Sequence, residues 1–368
     1  MNITNINHEL GRAGKPIIIS GPCSAESEEQ VLETCTAIAK TGKVDVLRAG
    51  IWKPRTRPGS FEGIGSVGLG WLQKAKAATG LKIAVEVATG NHVYEALKYN
   101  VDVLWIGARS TVSPFVVQEI ADALSGSDAI VLVKNPINPD LELWMGAIER
   151  INKAGITKIG AIHRGFSKFG ESRFRNIPLW QLPIELKRRL PEITMINDPS
   201  HICGIRETIP EIAQEALDLK FDGLMIEAHR NPDVALSDAK QQFTPQDLAI
   251  ILDNLIVRQD STDDENAMFM LQTLRKEIDQ FDEDVINLLA KRMKISESIG
   301  EFKKENNVTI LQPSRWEEII SNRTSKGVKL GLSEGFMNSY LKAVHQESIN
   351  HQNKVMNDAT VTNIDSVS

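Results

Sequence analysis

The amino-acid sequence predicts an α/β fold class: a (β/α)8 TIM barrel followed by an all-α helical domain. Two observations lead to this prediction. Eight short apolar runs alternate with helix-like segments over about 245 residues, which is the size of such a barrel. Beyond them the short runs stop, and apolar residues recur at spacings of three and four, as on one face of a long helix.

The eight runs are short, continuous and rich in β-branched residues, which is typical of strands buried on both faces of a parallel sheet. They read PIIIS, VDVLRAG, KIAVEV, VDVLWIGA, AIVLVKN, KIGAIHRG, ITMINDPS and DGLMIEAH. An open doubly wound sheet is the alternative, but no GxGxxG motif follows the first run. A closed barrel is therefore the favoured architecture.

Polar side chains stand at or just beyond the end of each run. In a closed parallel barrel these carboxyl ends face one rim, where such barrels carry their chemistry. The sequence therefore predicts a single site, to which the following residues contribute: Cys23, Lys53, Arg55, Glu86, Arg109, Lys134, His163, Arg164, Asp198, His201, Glu227 and His229.

The pattern divides the chain into a barrel at 1–258, a linker at 259–266, a helical domain at 267–355 and a disordered tail at 356–368. The linker, QDSTDDEN, is acidic and has no periodicity. One amphipathic helix of about 40 residues follows it, too long for an ordinary globular helix, which indicates a bundle or a dimer seam. Two further helices are expected around 313–326 and 333–355.

Composition excludes several classes of protein. The formal net charge is −6 and the sequence has no Lys/Arg-rich block, so nucleic acid is not an expected partner. No apolar run reaches the roughly 18 residues that span a bilayer, and the start MNITNINHEL lacks a signal-peptide core. The three cysteines are too few for a disulfide framework. We expect a cytoplasmic protein with no membrane partner.

Four potential metal ligands follow the first, seventh and eighth runs: Cys23, His201, Glu227 and Asp238. Sulfur, imidazole and carboxylate together suit manganese, iron, cobalt or zinc better than magnesium. Two alternatives stay open, because His201 could be only a hydrogen-bonded neighbour of the site and Asp238 could simply begin a helix. The spacing alone does not decide between a ligand set and these roles.

Five cations at the same rim need an anionic ligand, since like charges that converge repel one another. Forked guanidinium groups suit phosphate and carboxylate, so a phosphorylated polyanion is the expected substrate. The cations are Lys53, Arg55, Arg109, Lys134 and Arg164.

Seven motifs in family order resemble type Iβ 3-deoxy-D-arabino-heptulosonate 7-phosphate (DAHP) synthases: GPCSAES, KPRTRPGSFEGIG, GARS, VLVKNP, IHRGFS, NDPSHICG and IEAHRNPDVALSDAKQQFTP. The resemblance implies that Cys23, His201, Glu227 and Asp238 hold a divalent metal, with Mn2+ the first expectation and Fe2+, Co2+ or Zn2+ the alternatives. It also implies condensation of phosphoenolpyruvate with erythrose 4-phosphate. A departure is GARSTVSP, where relatives usually carry Asn-rich residues after GAR, which leaves the neighbours of Arg109 in question.

The same resemblance implies roles for the remaining rim residues. Cys23 is a metal ligand rather than a nucleophile, Lys53 is the proton donor, and His201 and Glu86 are possible helpers. The substrate-binding residues would be Lys53, Arg55, Thr56, Arg109, Lys134 and Arg164. A 3-deoxy-octulosonate 8-phosphate synthase, which uses a five-carbon phosphosugar, is the alternative, although its loop typically has an Asn where this chain reads KPRT.

The segments LRKEIDQFDEDVINLLAKRMKISESIGEFKKE, SRWEEI and HQESINHQ resemble AroQ-type chorismate mutases, which rearrange chorismate to prephenate. The resemblance implies a binding set of Arg275, Arg292, Lys303, Arg315, Ser348 and Gln352. Relatives commonly carry Asp and Glu where this chain has Gln312 and Trp316, so we expect weaker binding of the substrate hydroxyl. A non-catalytic sensor or dimerisation module is the alternative.

Helix geometry indicates which of these residues share a site. Arg292 and Lys303 are separated by 303 − 292 = 11 residues, about three turns, and therefore share one face. Arg275 lies roughly 25 Å along the axis from Arg292, so it should reach a small ligand only from a partner subunit in a homodimer. Because the chain starts almost directly at the first strand, we expect no amino-terminal regulatory domain. We therefore expect that chorismate or prephenate regulates the barrel by feedback through the helical domain.

Overall fold

The computed structural model describes residues 1–54, 59–170, 172–259 and 261–357. The chain divides into two compact units, Met1–Arg258 and Gln259–Ser368. Within the described part of the chain, no helix is both long enough and apolar enough to span a membrane.

The first unit is a closed barrel of eight parallel strands in sequence order, which confirms the predicted fold class. The barrel closes where β1 pairs with β8, with Ile17 opposite Gly223 and Gly21 opposite Glu227. The strands are β1 Ile17–Gly21, β2 Val46–Arg48, β3 Lys82–Val87, β4 Val103–Ile106, β5 Ile130–Lys134, β6 Ile159–His163, β7 Thr194–Asn197 and β8 Gly223–Glu227.

Helices cover the barrel, and several begin at a Ser, Thr or Asp whose side chain accepts a hydrogen bond from the first turn, as at Ser27, Thr89 and Asp140. The α-helices are α1 Asn7–Leu10, α2 Glu28–Lys40, α3 Val67–Thr79, α4 Gly90–Lys98, α5 Ala108–Thr111, α6 Pro114–Leu124, α7 Leu141–Lys153, α8 Gln181–Arg189, α9 Pro199–Cys203, α10 Ile209–Asp218 and α11 Pro245–Asn254. Single 3-10 turns cover Arg206–Thr208, Pro232–Val234 and Ala239–Gln241.

Alternation along the strands sorts side chains between two cores. One core lies inside the barrel and includes Ile19, Val46 and Trp105, with Ile6 and Leu10 from the segment before β1. The other lies between strands and helices and includes Ile18 and Leu47. Because side chains alternate in a strand, the last inward position of each strand lies at the carboxyl-end rim.

The second unit consists of α12 Glu265–Glu305, α13 Pro313–Lys329 and α14 Glu334–Asn357. Helix α12 begins two residues inside the predicted linker, where Asp264 caps it, and α14 extends into the start of the predicted tail. The rest of that tail, 358–368, lies outside the described residues. Helices α12 and α14 approach closely at Gly300, where a Cβ would lie 3.2 Å from Gln352 Cα.

Candidate functional site

Cys23 lies two residues beyond β1 and is fully buried at the rim. Its backbone N–H donates to Gln242 Oε1 over 2.8 Å. Its sulfur lies 3.3 Å from Asp238 Oδ2 and receives a hydrogen bond from Lys53 Nζ over 2.7 Å. Burial and the charge of Glu227 raise the pKa of the thiol to about 12, so only a strong positive charge would hold it as a thiolate.

Glu227 ends β8 at an inward position and is fully buried. Arg48, the last residue of β2, donates from Nη1 to Glu227 Oε1 over 2.6 Å, and Gln241 donates to Oε2 over 2.8 Å. Although burial opposes ionisation, His201 and Arg48 outweigh it and lower the pKa of Glu227. The carboxyl group is therefore held as an anion inside the protein.

Asp238 has a left-handed backbone conformation, with φ 50°, immediately before the 3-10 turn Ala239–Gln241. Its side chain does not cap that turn; it contacts Cys23 and accepts from Arg175 Nη1 over 2.9 Å. Burial opposes its ionisation, but His201 and Arg175 lower its pKa below the usual range. Asp238 therefore does not act simply as the start of a helix, because its side chain contacts the site.

His201 lies in α9, whose first residues follow β7, and Asp198 caps that helix. His201 Nδ1 lies 2.8 Å from Asp198 Oδ2, and Lys134 Nζ lies 2.8 Å from the same oxygen. Burial lowers the pKa of His201 although Asp198 opposes this, so its imidazole is neutral near pH 7. With Nδ1 paired to Asp198, Nε2 is the ring nitrogen that faces Glu227, at 3.9 Å.

The four predicted metal ligands therefore lie close together as two pairs: Cys23 contacts Asp238, and His201 faces Glu227. Charged residues contact these pairs, namely Lys53, Arg175 and Arg48. Among residues 1–54, 59–170, 172–259 and 261–357, no three His, Cys, Asp or Glu side chains are already arranged around one metal position. The chemistry of the donors nevertheless fits a borderline divalent ion. His201 also has the usual support of a metal-binding imidazole, a carboxylate on its other nitrogen.

Several cations surround the rim beside these acids. Arg164 follows β6 and is buried, and burial together with the neighbouring charges of Arg175 and Arg109 lowers its pKa to about 10 although Asp198 opposes this. Lys134 lies at the last inward position of β5, paired with Asp198. An anion placed among these groups would relieve their mutual repulsion.

Two predicted substrate-binding residues, Arg55 and Thr56, lie outside the described residues. One rim prediction is wrong: His163 does not face the common site, because 163 is an outward position of β6. Its ring packs between Phe166, Trp180 and Phe221, and its Nε2 lies 2.6 Å from Pro178 O.

Three residues of the site are not among those predicted from the sequence: Arg48, Arg175 and Gln241. The signal for Arg48 was present, since a charged residue two positions after the buried Val46 occupies the same inward face. Arg175 and Gln241 lie outside strands, and their contacts with Asp238 and Glu227 depend on loop conformations that no local pattern specifies.

The helical unit holds a second polar cluster. Arg292 donates to Ser348 Oγ, and Lys303 Nζ lies 3.1 Å from Gln352 Oε1 and 2.6 Å from Ile310 O. Arg315 pairs with Glu318. Arg292 and Arg315 line a cavity of about 400 Å3 between the helices, with Trp316 and His345. Of the six predicted residues, two line this cavity, Ser348 contacts Arg292, and Lys303 contacts Gln352.

Arg275 is the sixth, and it is exposed on the amino-terminal half of α12. It is separated from Arg292 by 292 − 275 = 17 residues of continuous helix, about 25 Å. Gln312 precedes α13 without capping it, and Trp316 stacks on His345 with ring centroids 3.8 Å apart.

The fold and the first site define a (β/α)8 barrel with its polar groups collected at the carboxyl-end rim, joined to a helical unit with a cationic cavity. Residues 2–263 match the DAHP synthetase I family, and the chain belongs to that family. Residues 274–353 match the chorismate mutase type II family.

The relatives include a phospho-2-dehydro-3-deoxyheptonate aldolase of Thermotoga maritima, 32% identical over 226 residues, which covers 61% of this chain and 64% of the relative. The chain thus spans somewhat under two thirds of that protein. A 2-dehydro-3-deoxyphosphooctonate aldolase of a Synechococcus species is 26% identical over 257 residues, covering 65% of this chain and 87% of the relative.

Among solved structures, the DAHP synthase of Thermotoga maritima superimposes with a TM-score of 0.59 at 30% identity, covering 66% of this chain and 68% of that one. A truncated form of the Thermotoga maritima enzyme gives 0.57 at 27% identity, covering 66% and 85%.

Replacing Arg48 by Met should destabilise the barrel unit by about 3–5 kcal/mol, because Glu227 would keep a buried charge without its cation. The matched control is Lys74→Met, which breaks an exposed pair with Glu28 and should cost less than about 1 kcal/mol. Urea unfolding at pH 7, followed by tryptophan fluorescence, measures both. Equal small losses would contradict the buried-charge account.

Proposed function

We propose that this chain is a bifunctional shikimate-pathway enzyme. The barrel condenses phosphoenolpyruvate with erythrose 4-phosphate to DAHP and phosphate, as a 3-deoxy-7-phosphoheptulonate synthase, and the helical unit rearranges chorismate to prephenate. The observation that carries the proposal is the convergence of Cys23, His201, Glu227 and Asp238 beside a cluster of buried cations. Family membership supports the same assignment.

In this proposal a divalent ion is held by Cys23, His201, Glu227 and Asp238. Mn2+ is the first candidate, and Fe2+, Co2+ and Zn2+ are the alternatives. Such an ion, when bound, acts as a Lewis acid that polarises the aldehyde carbonyl. Asp198 keeps the His201 ring oriented, with Nδ1 engaged. Arg48 and Gln241 keep Glu227 ionised and positioned.

The cations bind and orient the anionic substrate. Arg109, Lys134 and Arg164 hold the phosphate and carboxylate of phosphoenolpyruvate, so that its C3 meets the aldehyde carbon and a carbon–carbon bond forms. Water then adds at C2 and phosphate leaves. Lys53 Nζ, 2.7 Å from Cys23 Sγ, is the proton donor to the new hydroxyl, with His201 and Glu86 as other candidates. Arg55 and Thr56 belong to the proposed erythrose 4-phosphate contacts.

The purified chain should consume phosphoenolpyruvate when given erythrose 4-phosphate, and a chelator should abolish the reaction until Mn2+ is returned. Arabinose 5-phosphate should support at least tenfold less turnover, a discrimination of about 1.4 kcal/mol. The assay follows the loss of phosphoenolpyruvate absorbance. Faster turnover with arabinose 5-phosphate would favour the octulosonate alternative, and unchanged rates in chelator would overturn the metal assignment.

The mutase proposal rests on the cationic cavity of the helical unit. Arg292, Lys303 and Arg315 supply the positive charge for a dicarboxylate, while Ser348 and Gln352 accept from the first two of them and so fix their positions. Such a reaction needs no acid or base, only a site that holds the compact conformer and donates to the ether oxygen.

We also propose that the chain forms a homodimer through its helical unit, in which Arg275 completes the partner's site. The amino-terminal half of α12 exposes a row of large apolar side chains on one face, which a second helix of the same kind would cover: Leu271, Leu274, Ile278, Phe281 and Val285. Arg275 lies within this segment.

Arg275→Ala and Arg292→Ala should each abolish chorismate loss, because each removes one cation from both sites of the dimer. After the two variants are unfolded together and refolded, about a quarter of the wild-type rate should return, since half the dimers are mixed and each has one intact site. Lys294→Ala, on the same helix, is the control and should retain activity. No recovery on mixing would contradict the shared site, and activity in Arg292→Ala would contradict the mutase assignment.

The helical unit is further proposed to regulate the barrel by feedback. Prephenate should lower the synthase rate of the wild-type chain several-fold and should have much less effect on Arg292→Ala, which lacks a ligand-binding cation. Synthase rates at saturating substrate, with and without prephenate, make the comparison. A wild-type rate that prephenate leaves unchanged would refute this regulation.

A further inference from the structure

Two aromatic rings line the cavity of the helical unit. Trp316 of α13 and His345 of α14 stack with ring centroids 3.8 Å apart and an interplanar angle of 14°. Both are partly buried, and both line the cavity together with Arg292 and Arg315. The stack fixes the plane of the His345 ring beside the groups proposed to bind the ligand.

His345 lies on the same face of α14 as two residues of the polar cluster. It precedes Ser348 by three residues and Gln352 by seven, which are one and two helical turns. Ser348 accepts from Arg292, and Gln352 accepts from Lys303. His345 therefore lies on the face of α14 that contacts both cations of α12, and the charges of Arg292 and Lys303 help to lower its pKa.

The polar side chains that line the cavity are mostly hydrogen-bond donors. Arginine, lysine and the tryptophan indole donate only, whereas a neutral imidazole accepts at one nitrogen. His345 and Tyr340 are the lining residues with a side-chain nitrogen or oxygen that can accept. Of the two, His345 lies on the face of α14 that carries Ser348 and Gln352, whereas the Tyr340 ring packs on Phe336, with ring centroids 6.1 Å apart. His345 makes no side-chain hydrogen bond with any other residue in the described ranges.

The protonation state of His345 suits an acceptor. Burial, followed by the nearby charges of Arg292 and Lys303, lowers the pKa of the ring below its ordinary value. The imidazole is therefore neutral near pH 7 and presents one nitrogen lone pair. The described residues that line the cavity include no Asp or Glu, so a ligand hydroxyl that donates a hydrogen bond needs another acceptor there.

We propose that His345 is a ligand-binding and specificity-determining residue of the helical unit, whose imidazole accepts a hydrogen bond from the ring hydroxyl of the dicarboxylate held by Arg292 and Lys303. This inference rests on the proposed function of that unit. Trp316 acts through His345 as a positioning residue, because its indole stacks on the imidazole.

The test compares two substitutions in the full-length chain. His345→Phe keeps an aromatic ring against Trp316 but removes the acceptor, and His345→Gln keeps an acceptor without the ring. Titration calorimetry with prephenate should give a Kd about tenfold higher for His345→Phe, the usual effect of losing one hydrogen bond. His345→Gln should stay within about threefold of the wild type. Thermal unfolding of both variants should match that of the wild type.

A ligand without the hydroxyl separates recognition from general damage. A deoxy analogue of prephenate should bind the wild type and His345→Phe with the same affinity. Equal prephenate affinities for wild type and His345→Phe would overturn the inference while the function of the unit stands. A wild type that neither binds prephenate nor consumes chorismate would overturn both.

Discussion

The parallel direction of all eight strands is the constraint on which the barrel site depends. Because β1 to β8 run the same way and close in sequence order, every carboxyl end lies at one rim. Strand alternation then selects which side chains point inward there. Arg48, Lys134 and Glu227 occupy the last residue of β2, β5 and β8, which places cations and acids from distant parts of the chain in one small volume.

Collecting so many charges inside a protein is possible only because they compensate one another. Arg48 pairs with Glu227, Lys134 with Asp198, and Arg175 with Asp238. Each carboxylate has a lowered pKa because His201 and the cationic partner act together against the cost of burial. The same acids are thereby kept in the charge state that a metal ligand requires, and the cations remain close to where an anionic substrate would be bound.

The barrel could be predicted because its signals are local and repeated: continuous apolar strands and helices in regular alternation. The same pattern also predicted that residues just after strands, such as Cys23 and His201, belong to the site. The alternation of side chains along β2 and β6 also predicts that Arg48 faces the site and that His163 faces away from it. Arg175 reaches Asp238 through a long loop, and the stacking of Trp316 on His345 depends on how α13 and α14 pack. Neither contact has a short-range signature in the sequence.

The proposed function of the barrel requires that the Cys23 sulfur, with His201, Glu227 and Asp238, bind one divalent cation. The absorption spectrum of the Co2+-loaded protein tests it most directly, because a thiolate bound to cobalt gives a charge-transfer band in the near ultraviolet. We expect this band in the wild type and in Cys35→Ala, whose cysteine is buried in the helix-side core, and its loss in Cys23→Ser. A band that persists in Cys23→Ser, or a wild type that binds one Co2+ without the band, would contradict the proposed ligand set.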